Sequence, residues 1–227
     1  MSQFDDASNS FAKDQKELYI RIYEHLMQDE KPSLFLEDMA STELFSTAPF
    51  VMLLDLKQAM QSKQYHPEGN VWNHTMLVVD EAARVRVHSK DPSVLMWAAL
   101  LHDIGKPSTT QERKGKITSY NHEKVGAELT ISFLSSFTDD MEWMSKVANL
   151  VRWHMEVLFL EKNLPFGNIK QMIADVDLHE IGLLALCDRL GRTGANRQEV
   201  KQGIERFLKT CKVMKQNQKQ EELYRSR

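Results

Sequence analysis

The chain of 227 residues carries a formal net charge of -3 and is 42% hydrophobic and 27% charged, the balance of an ordinary globular protein with one sizeable core. No global basic field advertises nucleic-acid binding, and the longest apolar run, Val94 to Leu101, falls far short of the roughly 20 residues that span a bilayer. Cys187 and Cys211 form neither a paired metal motif nor a disulfide framework and suit a reducing cytoplasm, and the polar, acidic opening MSQFDDASNS is unlike a secretory signal.

Residues 1 to about 14 read as a frayed tail, and 16–62 as two or three helices with starts at Ser33 and around Thr47 to Pro49. YHPEGN (65–70) is a loop rich in breakers, and its Asn70 is placed to cap the amphipathic segment Val71 to Val87. In DPSVLMWAALLHDIGKP, Asp91 or Ser93 serves as the cap, Pro92 occupies the first turn, Gly105 falls past the end and Pro107 acts as a stop. The body of this helix is apolar on every side, so Val94 to Asp103 is expected at the centre of the fold. STTQERKGKITSY (108–120), polar with a Lys-Gly turn, reads as a loop or a small β-hairpin near 110–118. Helices resume at 121–136 and 139–161, break at KNLPFGN, and continue at about 168–175 and 179–190. Ala195 to Arg227 is a long helical pattern thinning into the slightly basic KQNQKQEELYRSR. The expected architecture is a single all-α domain.

Polar residues on apolar helix faces stand out against this frame. His74 has Leu77, Val78 and Val85 at helical offsets, His102 follows Leu95, Ala98 and Ala99, and His122 precedes Val125, Leu129 and Phe133. His154 follows Val147, Leu150 and Val151, and Asp188 follows Ile181, Leu184 and Ala185. Any one of these histidines alone reads as a satisfied core residue. Five inward ionisable groups on five helices, with Asp103 adjacent, read better as ligands, because a shared cation offsets the cost of burying them. His25, His88 and His179 sit at helix flanks and His66 in a loop, and these four read as surface residues. Imidazole and carboxylate without thiolate favour manganese, iron, cobalt, nickel, magnesium or zinc.

The order His74, then His102-Asp103, then Asp188 resembles the H…HD…D pattern of the HD-domain metal-dependent phosphohydrolases. The likeness runs through HPEGNVWNHTMLVVDEA, ALLHDIGKP, NHEKVGAEL, VRWHME and LLALCDRLGRTG, and is greatest to the HD region of bacterial CCA-adding enzymes, the tRNA nucleotidyltransferases. It implies an all-α HD-domain helical bundle over residues 66–195, with 1–65 as a helical extension packed on the core and 196–227 as a C-terminal helix and basic tail. It implies that His74, His102, Asp103 and Asp188 hold a divalent metal ion, and that His122 and His154 hold a second ion or contact substrate phosphate directly. A nucleotidyltransferase head needs a Gly-Ser motif followed by paired aspartates on a strand. Residues 1–65 contain neither, and Asp175-x-Asp177 lies at a helix end, so the expectation is an HD module standing alone.

The expected chemistry is hydrolysis of a phosphomonoester or phosphodiester in a nucleotide or RNA-end-like substrate, in the cytoplasm and away from membranes. A divalent ion makes water nucleophilic near neutral pH, and Asp103 is expected both to ligate it and to orient the attacking water. Lys106 is the candidate for a phosphate oxygen, or else a routine lysine at a helix C-terminus. Arg189 and Arg192 are further phosphate-binding candidates, and Glu81, seven residues after His74, is either a brace for a ligand histidine or an exposed helix charge. STTQERKGKITSY is the candidate loop for choosing the substrate. Two other readings compete: a non-catalytic nucleotide sensor, which would not need the intact ligand set, and an RNA-processing accessory module, supported by the basic tail alone.

Overall fold

The computed structural model describes residues 2–62 and 64–225. Its first element, α1 (Ser2–Gln28), corrects the expectation of a frayed tail to about residue 14. Leu18, Ile22 and Leu26, four residues apart, are buried and anchor one stripe of this helix. With a nucleus so anchored and no Gly or Pro upstream, propagation adds one hydrogen bond per residue toward the N-terminus. Helix α2 (Pro32–Met39) follows, with Ser33 donating to the Asp80 carboxylate through its backbone N (3.1 Å) and hydroxyl (2.8 Å). The short α3 (Val51–Leu54) lies between two 3-10 turns.

Helix α4 (Val71–Val85) starts where Asn70 Oδ1 accepts from Asn73 N at 2.9 Å. Helix α5 (Pro92–Leu101) is capped by Asp91, whose Oδ1 accepts from Val94 N at 3.3 Å and from the Ser93 hydroxyl at 2.8 Å, so Ser93 supports the cap and does not form it. A turn through His102–Gly105 leads to the one-turn α6 (Lys106–Thr109). Pro107 therefore begins a helix and is not a stop, because the first turn is where a missing N–H removes no bond. The segment read as loop or hairpin is a hairpin, β1 (Thr110–Arg113) against β2 (Lys116–Ser119), turning at Lys114 and Gly115 with φ of 52° and 73°.

Helices α7 (His122–Leu134), α8 (Met141–Trp153) and α9 (Glu156–Glu161) come next. The 139–161 stretch, read as helix up to KNLPFGN, breaks earlier, at His154 and Met155. Helices α10 (Ile169–Asp175), α11 (Leu178–Leu190) and α12 (Arg197–Arg225) complete the chain. Among the described residues no helix is long and apolar enough to cross a membrane.

Every residue from Val94 to Leu101 is buried, and α5 packs against α1, α4, α8 and α11. Tyr19 of α1 stacks on Trp97 of α5 (5.1 Å between centroids) and on Phe137 (4.5 Å), and Phe50 meets Phe133 of α7 edge-on at 5.8 Å. The fully buried Phe50 and Phe133 each contribute roughly 1.5–3 kcal/mol through burial. Two glycines allow close approaches that shape the centre of the molecule. A Cβ on Gly105 would lie 2.2 Å from His122 O and 2.6 Å from Gly126 N, so only glycine lets the 102–105 turn press against the start of α7. A Cβ on Gly191 would lie 2.5 Å from Val78 Cγ2, where the end of α11 meets α4.

Candidate metal centre

Around Asp103 the fold gathers His74 from α4, His102 from the end of α5, His122 from the start of α7, His154 from the end of α8 and Asp188 from α11, all buried. Two histidines arrive by the same local device. His102 and His154 each follow the last residue of a helix, and each donates Nδ1–H to the carbonyl three residues back, Ala99 O at 2.8 Å and Val151 O at 2.7 Å. One bond thereby satisfies a helix-end carbonyl and fixes the imidazole tautomer, because a carbonyl only accepts. His122 does the same with Ser119 O of β2 at 2.7 Å. All three rings therefore turn an Nε2 lone pair inward.

Those lone pairs converge on one carboxylate. Asp103 Oδ2 lies 3.3 Å from His102 Nε2, and Oδ1 lies 3.4 Å from His122 Nε2 and 3.7 Å from His154 Nε2. His122 Nε2 and His154 Nε2 face each other at 3.3 Å. His102 Nε2 and Asp103 Oδ2 are buried without a hydrogen-bond partner, although Lys106 Nζ pairs with that oxygen as a charge at 2.7 Å. Orphaned buried donors and acceptors are costly, and a divalent cation is the species that would satisfy a carboxylate and several imidazole lone pairs together. By distance the residues form two triads that share Asp103, one with His74 and His102 and the other with His122 and His154, each with donor atoms within 4.8 Å. The donor set fits a divalent metal ion.

Charge follows the same division. Burial alone pushes Asp103 up, but His102 and Lys106 beside it hold its carboxyl well below the usual carboxylate range. Burial likewise opposes ionisation of Asp188, and Arg192 and His74 outweigh it and keep the pKa well below the ordinary value. Burial pulls His154 down to about 3, with His122 and His102 adding to the effect, and burial also lowers His122. His74 is the exception: burial lowers it, yet the bonds to Asp188 and Glu68 prevail and its pKa is raised.

Glu68 was not singled out from the sequence. Its Oε1 accepts from His66 Nδ1 (2.8 Å) and His74 Nδ1 (3.1 Å), while Oε2 accepts from Thr193 N at 3.2 Å. Burial would raise Glu68, but the bonds from His74 and His66 bring it down to about 2. It holds the His74 ring so that Nε2 meets Asp188 Oδ1 at 3.1 Å. The available signal was its place in HPEGN, at the head of the family-like phrase. His66, read as a surface residue, is largely buried with its ring centroid 5.0 Å from that of His74, and burial with nearby Lys106 lowers it to about 4. His25, His88 and His179 lie outside the cluster, with Nδ1 of His25 on Asp29 at 2.7 Å and Nε2 of His179 on His88 O at 2.7 Å.

Glu81, considered as a brace for a ligand histidine, instead pairs with Arg197 at 2.7 Å and with Arg84. Seven residues return it to the face of His74 but carry it about 10 Å along the helix axis, out of reach of the ring. Lys106 is fixed between Asp103 and Gln61, whose Oε1 accepts from Nζ at 2.7 Å. Arg192 reaches Asp188 at 3.6 Å and keeps a buried Nε without a partner, whereas Arg189 turns to Glu161 at 2.7 Å.

Residues 71–193 match the HD domain family. The chain is 24% identical over 179 residues to the Multifunctional CCA protein of Mannheimia succiniciproducens, covering 75% of this chain and 42% of that protein. It is 31% identical over 152 residues to the Multifunctional CCA protein of Aromatoleum aromaticum, covering 63% and 36% respectively. It is 39% identical over 64 residues to the A-adding tRNA nucleotidyltransferase of Deinococcus radiodurans, covering 27% and 15%. The matched stretches thus take in less than half of each relative, over its HD region.

Proposed function

The chain belongs to the HD-domain family, typically one of metal-dependent hydrolases, and from that premise we propose that it is a phosphohydrolase acting on a phosphomonoester or phosphodiester of a nucleotide or RNA end. The observation that carries this reading is the sharing of Asp103 between two triads of buried donors. In it His74, His102, Asp103 and Asp188 hold one divalent ion, and Asp103, His122 and His154 hold a second. When bound, such ions make water nucleophilic near neutral pH and offset the charge on a leaving oxygen.

The remaining work falls to the chain. Asp103, kept ionised, accepts a hydrogen bond from the attacking water and fixes its direction toward phosphorus. Lys106 Nζ, already positioned by Gln61, neutralises a phosphoryl oxygen. Arg192 Nε, buried and unpartnered, donates to another. Neutral His122 and His154 keep their Nε2 lone pairs as donors, because burial opposes their protonation. The relatives named as CCA proteins and as an A-adding tRNA nucleotidyltransferase support a nucleotide or RNA end as the phosphate carrier.

The test is release of phosphate, or opening of a cyclic phosphodiester, by protein loaded in turn with manganese, cobalt, nickel, magnesium and zinc. The substrates are nucleoside monophosphates, cyclic nucleotides, a short RNA with a 3′-phosphate and a simple alkyl phosphate. Turnover that chelation abolishes is expected for at least one nucleotide. Absence of turnover across the panel, with metal bound, overturns the reading in favour of a nucleotide sensor.

A further inference from the structure

Two large aromatic side chains stand exposed on segments that adjoin His122 and the helix after His154 in sequence. Tyr120, the last residue of the loop STTQERKGKITSY, is 64% exposed, and Phe166 of the 162–168 loop is 59% exposed. Their ring centroids are 6.4 Å apart at 60°, and Phe166 also meets Phe159 of α9 at 5.8 Å. Because Tyr120 and Phe166 tilt and do not stack on each other, ring faces remain open to a third planar group. Tyr120 is two residues from His122, so its Cα lies within about 7 Å of that ligand's Cα. Phe159 follows His154 by five residues on the helix that begins just past it.

The loop that presents Phe166 is held with unusual care. Glu156 is 2% exposed, and both its carboxylate oxygens accept from Asn168 N at 3.0 Å. Leu164 N donates to Phe159 O at 2.8 Å from the other side of the loop. A Cβ on Gly167 would fall 2.9 Å from Glu156 Oε2 and 3.3 Å from Phe159 Cβ, so the loop lies tight on α9. Burying a carboxylate to grip one backbone amide is an expensive way to fix a surface loop. It becomes intelligible if the direction of Phe166 matters. The exposed pair is far too small to be a protein interface, which buries roughly 1,200 Å² or more.

We propose that Tyr120 and Phe166 form a stacking subsite for the planar nitrogenous base of the substrate, placed so that a phosphate on the same nucleoside reaches the Asp103 cluster. The proposal rests on the phosphohydrolase reading and deepens it, assigning the choice of a base-bearing phosphate to these two rings. Stacking tolerates any base, so the subsite selects nucleotides as a class over base-free phosphate esters.

The experiment measures binding to metal-loaded protein of adenosine carrying a 5′-phosphonate, whose carbon–phosphorus bond resists hydrolysis, and of methylphosphonate, which has no base. The nucleoside phosphonate is expected to bind about tenfold more tightly or better, the worth of one base–aromatic stack. Tyr120→Ala and Phe166→Ala should each collapse that ratio toward one, while Phe166→Trp preserves it and reports the base by quenched emission. A ratio near one in the unaltered protein, or a ratio that survives both alanine variants, overturns the subsite alone. Failure of both phosphonates to bind overturns the phosphohydrolase reading together with the subsite. Tight, stack-dependent binding without turnover of any nucleotide leaves the subsite standing and removes the hydrolase.

Discussion

On the α4–α11 side of the cluster, His74 has a carboxylate at each ring nitrogen, Glu68 at Nδ1 and Asp188 at Nε2. On the α7–α8 side, His122 and His154 turn bare Nε2 atoms toward each other at 3.3 Å, with Asp103 Oδ1 their nearest carboxylate oxygen. In the metal-free protein His74, protonated at both nitrogens, bonds both carboxylates, and an ion on this side would take the place of the proton at Nε2. The second side is two acceptors facing each other, held by packing and by the carbonyls behind each ring. The difference teaches that two sides of one cluster can orient their imidazoles by different means, carboxylates for His74 and backbone carbonyls for His122 and His154, with Asp103 between them.

Removing the shared member should break both halves at once. Asp103→Asn is expected to lose bound metal from both triads and to lower kcat/KM by on the order of 10³, the worth of several kcal/mol of metal assistance. Elemental analysis alongside kinetics checks it, and full metal retention would sink the assignment. Next in size, the double variant His122→Ala/His154→Ala should retain one ion and lose the other. Unchanged metal stoichiometry with lost activity would instead make these histidines substrate contacts.

Glu68→Gln attacks the α4–α11 side by weakening the brace on His74. Metal affinity should fall about 10–100-fold, as for other carboxylates that orient a ligand histidine, and calorimetric titration measures it. An unchanged affinity would show that Asp188 alone orients the ring.

Acid should sharpen the contrast in the metal-free protein. His154 is held to about 3 and His66 to about 4, against 6.5 when unfolded. Below pH 6.5 the unfolded chain binds protons that these folded residues refuse, so stability falls as pH drops toward 4. Each histidine contributes at most about 1.4 kcal/mol per pH unit. His74 works the other way: its raised pKa gives stability that is present below 6.5 and lost as pH rises through its folded value. Melting curves of His154→Gln between pH 7 and 5 should therefore be flatter than those of the unaltered protein; equal slopes would contradict a neutral buried His154. The smallest effect on the centre belongs to Glu81→Gln, which removes the charge that a buried carboxylate pairs with the half-exposed Arg197 and Arg84 and should leave metal affinity unchanged. A loss of affinity there would mean that the ion pair positions the ligands through α4.

The comparison also shows where the sequence was readable. Residues on helices declared themselves: His74, His102, His122, His154 and Asp188 fall on apolar stripes because a 3.6-residue period converts spacing into facing. Glu81 shows the limit of that reasoning, since the period fixes direction around the axis and the rise along it decides contact. Glu68 and His66 sit in a loop, where no period exists to be read.

By itself, then, the sequence determined the buried α5, from its apolar girth, its Asp91 cap and Pro92, and the inward facing of His74, His102, His122, His154 and Asp188, because both follow from local geometry. Only the tertiary structure decided which groups meet. Glu68 reaches Thr193 across 125 residues of chain, Gly105 admits the start of α7, and Asp103 turns Oδ2 to His102 and Oδ1 to His122 and His154. The reason is physical: the facing of a loop residue is set by long-range packing, and a tautomer by whichever carbonyl the folded backbone presents to the ring.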